Sequence, residues 1–335
     1  MESAIRGGHF MWRKAPVLIL AILLVASVSV QPSLGQKYPT KPIEIMLPYS
    51  PGSSIDILSR LVAETAPKYL GQPVVVVTKP GGGGSVAAAD VISSKPDGYK
   101  LLCAVNFLFS ITTKTQKIPF DPDHLEPLAT LFELKQGLCI KGDAPWKTLG
   151  DLLDYGRKNP GKIRWAHTGR GSGAHIPILL MFKKAGVETI DIPHKGAPEM
   201  ISAIMGSHIE GASIPYGAIR DHVRSGQMRY LVFFTDNAYG DPPGIPTALE
   251  LGFPEVARMP AQGGYFIHKD TPEEIKKTLV DALKKISDDP GFKKGFEKTG
   301  ENLRFGGPEF ARESIRKSEE VGVPILKELG LYIAK

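Results

Sequence analysis

Apolar and polar positions alternate with changing period along the chain, and the period marks the elements. Pro42 to Leu47 (PIEIML) reads as a short strand that runs into a Pro/Gly/Ser turn, Pro48-Tyr49-Ser50-Pro51-Gly52-Ser53-Ser54. From Ile55 to Leu70 the apolar positions fall three and four apart, which predicts a helix, with Gly71 placed as its C-cap. Val74–Val77 and Leu101–Val105 are short buried strands, and Ser85–Ile92 is a helix between them. The order β-α-β-α-β predicts a largely parallel sheet with helices on its faces.

The grammar then repeats. Thr148–Asn159 is a helix with a cap signal, Thr148-Leu149-Gly150-Asp151. Strand Ile163–Ala166 leads into the turn His167-Thr168-Gly169-Arg170-Gly171-Ser172-Gly173, followed by helix His175–Ala185. Strands at Thr189–Pro193, Ile209–Ile214 and Tyr230–Thr235 alternate with helices at Ala197–Met205 and Tyr216–Ser225. The Pro- and Gly-rich stretch Asp236–Pro260 reads as a crossover between units. Beyond Thr271 the chain is helical. Glu309–Glu320 is one helix, and Pro324 is expected to open a short last one ending near Leu329.

The amino terminus has a different pattern. Arg6, Arg13 and Lys14 precede an uncharged run from Ala15 to Val30, and small residues stand at Ser33 and Gly35. This is the layout of a cleaved secretory signal over residues 1–35, and it predicts export to the periplasm. No later segment is apolar and long enough to span a membrane.

Composition narrows the class. The 335 residues are 42% hydrophobic and 23% charged, enough for two cores of ordinary size, and the formal charge is +6. No Lys/Arg stripe concentrates that excess, so no nucleic-acid partner is expected. The two cysteines, Cys103 and Cys139, lie in apolar stretches and are expected as buried thiols rather than metal ligands.

Two strand–turn–helix junctions carry the candidate chemistry, at 48–56 and 167–175. Each puts Gly and Ser where a helix begins, and the first amides of a helix have no acceptor within it. Such a terminus holds an anion without Arg or Lys. A pair of them facing across a cleft would clamp a small carboxylate; the alternative is two ordinary Gly/Ser connections. Asp56, early in the first helix, fits a helix-stabilising carboxylate. Gly169–Ala174 also fits G-x-G-x-x-A, with Asp191 about 20 residues on, which leaves open an exported dinucleotide-dependent enzyme. A hydrolase elbow around Ser172 lacks its flanking glycines, since Arg170 and Ala174 stand there. His167, His175 and His194 show no tight metal-ligand spacing, so neither metal nor cofactor is expected.

Several short segments, in order, resemble the tripartite tricarboxylate transporter substrate-binding proteins, the Bug-type periplasmic receptors. They are Tyr38–Ile43, Pro48–Asp56, Gly71–Val76, Lys79–Gly84, Pro96–Tyr99, Asn159–Lys162, Pro193–Gly196, Gly226–Arg229 and Ile245–Thr247. The resemblance implies an α/β two-lobe periplasmic-binding-protein fold of type II, with mixed sheets and flanking helices. It implies lobe 1 over 36–140 and 259–335, and lobe 2 over 141–258. It implies a monomeric receptor, not an enzyme, that closes on a small organic carboxylate (a di- or tricarboxylate or an aromatic acid) and passes it to membrane permease subunits. Carried residue by residue, the ligand contacts would be Tyr49, Ser50, Gly52, Ser53 and Ser54 in the first loop. In the second they would be Thr168, Gly169, Gly171, Ser172 and Gly173, with His175, Asn106 and His194 beside them. The sequence departs from the family pattern where Ser53, Ser54 and Ile55 replace Gly-Gly-Thr, where His194 replaces Tyr, and where Ile214-Pro215 replaces Asp-Asn. The last change argues against an amino-acid ligand. His194 and Arg170 could serve a second carboxylate.

Overall fold

The computed structural model describes residues 38–118 and 120–333. The expected signal segment lies outside them. From Lys41 onward the chain forms one compact unit. Among the described residues no helix is long and apolar enough to cross a membrane.

The first sheet is built from β1 (Ile43–Leu47), β2 (Val74–Thr78), β3 (Lys100–Val105), β4 (Leu125–Leu134), β10 (Ala261–His268) and β11 (Asn302–Gly306), in the order β11-β4-β10-β3-β1-β2. The second holds β5 (Gln136–Lys141), β6 (Ile163–His167), β7 (Thr189–Pro193), β8 (Gly211–Pro215) and β9 (Met228–Phe233), in the order β7-β6-β8-β5-β9. In each, the strands read from the β-α-β pattern pair in parallel: β1 with β2 and β3, and β6 with β7 and β8. The remaining strands pair antiparallel. The sheets are therefore mixed, and the antiparallel members β4, β5, β10 and β11 were not legible from periodicity. β4, β5 and β10 are almost wholly buried, so they show no clean alternation.

The helices fall close to their sequence signals. They are α1 (Ser54–Thr65), α2 (Ser85–Ile92), α3 (Leu149–Lys158), α4 (Ile176–Lys184), α5 (Ala197–Met205), α6 (Tyr216–Arg224), α7 (Glu273–Asp288), α8 (Pro290–Glu297) and α9 (Pro308–Glu328). The Thr148 signal is a capping box, with Thr148 and Asp151 bonding each other's backbone. Two expectations are corrected. The helix expected over 55–70 breaks at Pro67, which has no N–H to continue the ladder, and a short helix, Pro67–Leu70, ends at the left-handed Gly71. Conversely, Pro324 does not open a new helix. It lies inside the continuous 21-residue α9. A proline inside a helix costs about 3 kcal/mol. Burial of Ile325 and Leu326, and of Gly322 against the Ile111 side chain, offsets that cost.

The chain passes from the first sheet to the second at Lys135, between β4 and β5, and returns through 234–260, the Pro- and Gly-rich segment. Glu301 ties this crossing together. Its buried carboxylate accepts from the Lys135 N–H at 2.6 Å, the Gly217 N–H at 2.6 Å and the Ser54 hydroxyl at 2.9 Å. Those donors belong to the crossing, to α6 and to α1. Burial raises the Glu301 carboxyl above its ordinary range and lowers the Lys135 ammonium.

Glu301→Gln puts an amide N–H₂ against donors that need an acceptor. The expected cost is roughly 1–3 kcal/mol, read as a lower urea midpoint at unchanged m-value. An unchanged midpoint would show that the crossing does not depend on this carboxylate.

Candidate functional site

The two Gly/Ser junctions fold into the same local device. At the first, the N–H of Ile57 returns to the Ser53 carbonyl, so Ser53 is the N-cap, and its Oγ accepts from the Asp56 N–H at 3.3 Å. At the second, the N–H of Ile176 returns to the Ser172 carbonyl, which puts Ser172 in the equivalent place. Preceding amides are used internally. Gly52 N–H donates to the Asp56 carboxylate at 2.9 Å, and Ser53 N–H to the Ser50 carbonyl at 3.3 Å. Gly169 N–H donates to Nδ1 of His167 at 3.0 Å and Gly171 N–H to Nδ1 of His175 at 3.2 Å. Ser172 N–H donates to the Gly169 carbonyl. At the helix starts themselves, the N–H groups of Ser54 and Ile55, and of Gly173 and Ala174, have no acceptor among the described residues.

All four residues line one cavity. Ser172, 2% exposed, adds a buried hydroxyl with no partner. Tyr49 and Thr168 face each other in the wall. Removal from water pushes the Tyr49 phenol up to about 12, against the opposing pull of the Thr168 hydroxyl, so it stays a neutral donor. Further polar groups are Gln136 and Ser213, bonded to each other at 2.6 Å. The rest of the wall is apolar, with Phe107, Leu108, Leu134, Met200 and Pro215 among its members. No charged side chain lines it among the described residues.

The halves meet at this cavity through glycines. A Cβ on Gly173 would lie 1.8 Å from Cδ2 of Phe107, which follows β3. Gly171, at φ +68°, lies against Thr115, whose hydroxyl donates to the Gly171 carbonyl at 3.2 Å. Backbone from the second sheet's half thereby reaches side chains of the first, and no larger residue fits there.

Of the sequence-predicted ligand residues, Tyr49, Ser53, Ser54, Thr168, Ser172 and Gly173 line the cavity. The others stand around it. Ser50 donates to Glu199 at 2.7 Å. Gly52 is exposed, and its amide is held by Asp56. Gly169, Gly171 and His175 lie behind the second turn, as given above. Asn106 faces the opposite groove beside α9, donating to the Pro260 carbonyl at 3.2 Å and to Ser314 at 3.3 Å. His194 binds its own strand, with Nδ1 on the Ile192 carbonyl. Arg170 pairs with Asp191 through two contacts of 3.1 Å, away from the cavity, so it offers nothing to a second carboxylate. Periodicity missed Gln136, Ser213 and Met200, which reach the cavity only because β5, β8 and α5 converge on it. The glycine closest approaches had no sequence signal beyond Gly itself.

The enzyme alternatives are overturned by the partners of their key residues. Asp191, the expected ribose contact, accepts from Arg170 and sits 3.1 Å from His167 Nε2. Ser172 Oγ has no base within hydrogen-bond reach. Cys103 and Cys139 are free and buried, and burial pushes both thiols up to about 12.

Two mixed α/β sheets exchanging strands at a crossing, with a cavity walled by a helix start from each half, define a periplasmic-binding-protein fold. The pattern described as the tripartite tricarboxylate transporter family receptor matches residues 58–331, and the chain belongs to that family. A UPF0065 protein in the gbd 5' region of Cupriavidus necator is 32% identical over 333 residues, spanning 98% of this chain and 99% of the relative. A solved periplasmic transporter superposes with TM-score 0.82 at 25% identity, over 88% of this chain and 99% of its own. The adipate-bound R. palustris protein Rpa4515 shares the fold, with TM-score 0.83 at 20% identity, over 88% of this chain and 99% of its own. The family is one of receptors, not enzymes.

The histidines behind the second turn give a signed pH dependence. His167 and His175 face Asp191 and Arg170, and Trp165 stacks on His175 at 5.5 Å. Burial lowers both imidazoles, His175 to about 3. The unfolded chain therefore binds protons that the folded chain does not between the ordinary histidine value of 6.5 and about 3. This part of the stability is complete above pH 6.5 and is lost as pH falls toward 3. Urea midpoints at pH 7 and pH 5 should differ more in the wild type than in His175→Phe. Equal differences would refute the assignment.

Proposed function

We propose that this chain is a periplasmic solute receptor that holds the carboxylate of a small organic acid on the amides of Ser54, Ile55, Gly173 and Ala174. The observation that carries this reading is the accounting of donors. Each of two helix starts, one per half, leaves two successive amides without an acceptor among the described residues, and all four border one cavity with the unpartnered Ser172 hydroxyl. A carboxylate accepts several N–H bonds and meets the positive end of two helix dipoles, without the desolvation cost of a buried Arg or Lys. Tyr49 and Thr168 would complete its shell. Phe107, Leu108 and Met200 would receive the carbon skeleton. Family membership and the adipate complex of a protein of the same fold support the ligand class.

In this reading the lobes comprise 36–140 with 259–335, and 141–258. They move about the two crossing segments, open to admit the acid and closed through Gly171 and Gly173 once it is bound. Residues 1–35 serve as the export signal, the receptor acts as a monomer, and membrane permease subunits take the acid from it.

Calorimetry against malate, adipate, citrate and benzoate tests the reading; no heat from any acid at millimolar concentration would overturn it. Two variants locate the site. Ser172→Ala removes a donor that the protein itself does not use, so affinity should fall about tenfold with the melting temperature unchanged. Ser53→Asp keeps an N-cap acceptor while adding a negative charge beside the amides, and should abolish binding without unfolding the chain. Unaltered affinity in both would place the carboxylate elsewhere.

A further inference from the structure

Behind the second amide pair lies a set of side chains that the binding reading does not use. His167 is fully buried and His175 is 3% exposed. Each ring accepts a backbone N–H at Nδ1, from Gly169 and Gly171 respectively. A ring nitrogen that accepts carries no proton, so each neutral imidazole holds its proton on Nε2. Both Nε2 atoms point at a single oxygen, Oδ2 of Asp191, at 3.1 Å and 3.6 Å. Arg170, from the same turn, grips both oxygens of that carboxylate from the solvent side.

We infer that Asp191 is a positioning residue of the binding site: by accepting from Nε2–H of His167, with His175 Nε2 3.6 Å from the same oxygen, it holds the rings that receive the Gly169 and Gly171 amides, and so aims those of Gly173 and Ala174 into the cavity. This rests on the proposed carboxylate site. Without Asp191 the buried Nε2–H of His167 loses its acceptor and that of His175 the negative charge beside it. The His167 ring then turns to find another partner, the Gly169 N–H loses its acceptor, and the turn must rearrange. The same three side chains converge within 4.8 Å, as metal ligands do. A metal on Nε2 would force the ring proton onto Nδ1, against the same amides, whereas ligating histidines present that proton to an acceptor. The backbone donors therefore favour the carboxylate pairing over a metal site.

Nitrogen-15 NMR of the histidine rings at pH 7 tests the inference with and without bound acid. The wild type should show both rings protonated on Nε2, and Asp191→Ala should move the His167 ring signals toward exchange between tautomers as that ring is released. The backbone amide signals of Gly173 and Ala174 should move with it. Affinity for whichever of malate, adipate, citrate and benzoate binds the wild type should fall about tenfold. Asp191→Glu should recover part of that loss, and Arg170→Ala should leave the tautomers unchanged. If Asp191→Ala does not fold, Asp191→Asn carries the same readings, since its amide can accept from only part of the set. Nδ1 protonation in the wild type, unmoved Gly173 and Ala174 signals, undiminished affinity, or a zinc-induced rise in melting temperature that Asp191→Ala removes would each overturn it. Loss of all acid binding by the wild type would refute the carboxylate site while leaving the tautomer and amide readings intact.

Discussion

A helix start has more N–H groups than its own carbonyls can receive, and this protein is organised around where those groups go. The Ser53 hydroxyl caps the first start that faces the cavity, the Ser172 carbonyl receives the Ile176 N–H at the second, and Asp56, His167 and His175 absorb neighbouring amides. The amides left at the two helix starts border one cavity. Each internal acceptor fixes its turn, because a loosely held turn would spread its donors over many directions. No charged side chain stands in the cavity wall among the described residues.

The charged groups near the cavity are buried behind it and engaged. Glu301 holds the crossing, Glu199 takes the Ser50 hydroxyl, and Asp191 takes the His167 imidazole and Arg170. A buried carboxylate is costly unless several donors meet it, and Glu301 and Asp191 are each met by more than one. Such carboxylates couple positions far apart in sequence: Ser54 and Glu301 are 247 residues apart. They make the relative placement of α1, α6 and the crossing a matter of hydrogen bonding as well as of packing.

The apolar remainder of the wall has a different origin. Phe107 and Leu108 follow β3, Met200 comes from α5 and Pro215 ends β8, so the surface that would meet a carbon skeleton is assembled from both halves. Gly171 and Gly173 let those halves approach within side-chain reach. The free amide donors are thus local to two turns, while the apolar surface is distributed over several elements.

The sequence by itself determined the parallel β-α-β units, most helix boundaries, and the two Gly/Ser turns, because these depend on contacts within a few residues: caps, periodicity and left-handed glycines. Asp56 as a helix-start carboxylate and the resemblance of 48–56 to a receptor loop were legible for the same reason. Only tertiary structure decided that Asn106 faces away from the cavity while its neighbour Phe107 lines it. It also paired Arg170 with Asp191 rather than leaving it for a ligand, and it carried α9 through Pro324. The antiparallel strands β4, β5, β10 and β11 belong to this second group. Their partners lie far along the chain, and in β4, β5 and β10 burial on both faces erases the alternation that would have announced them.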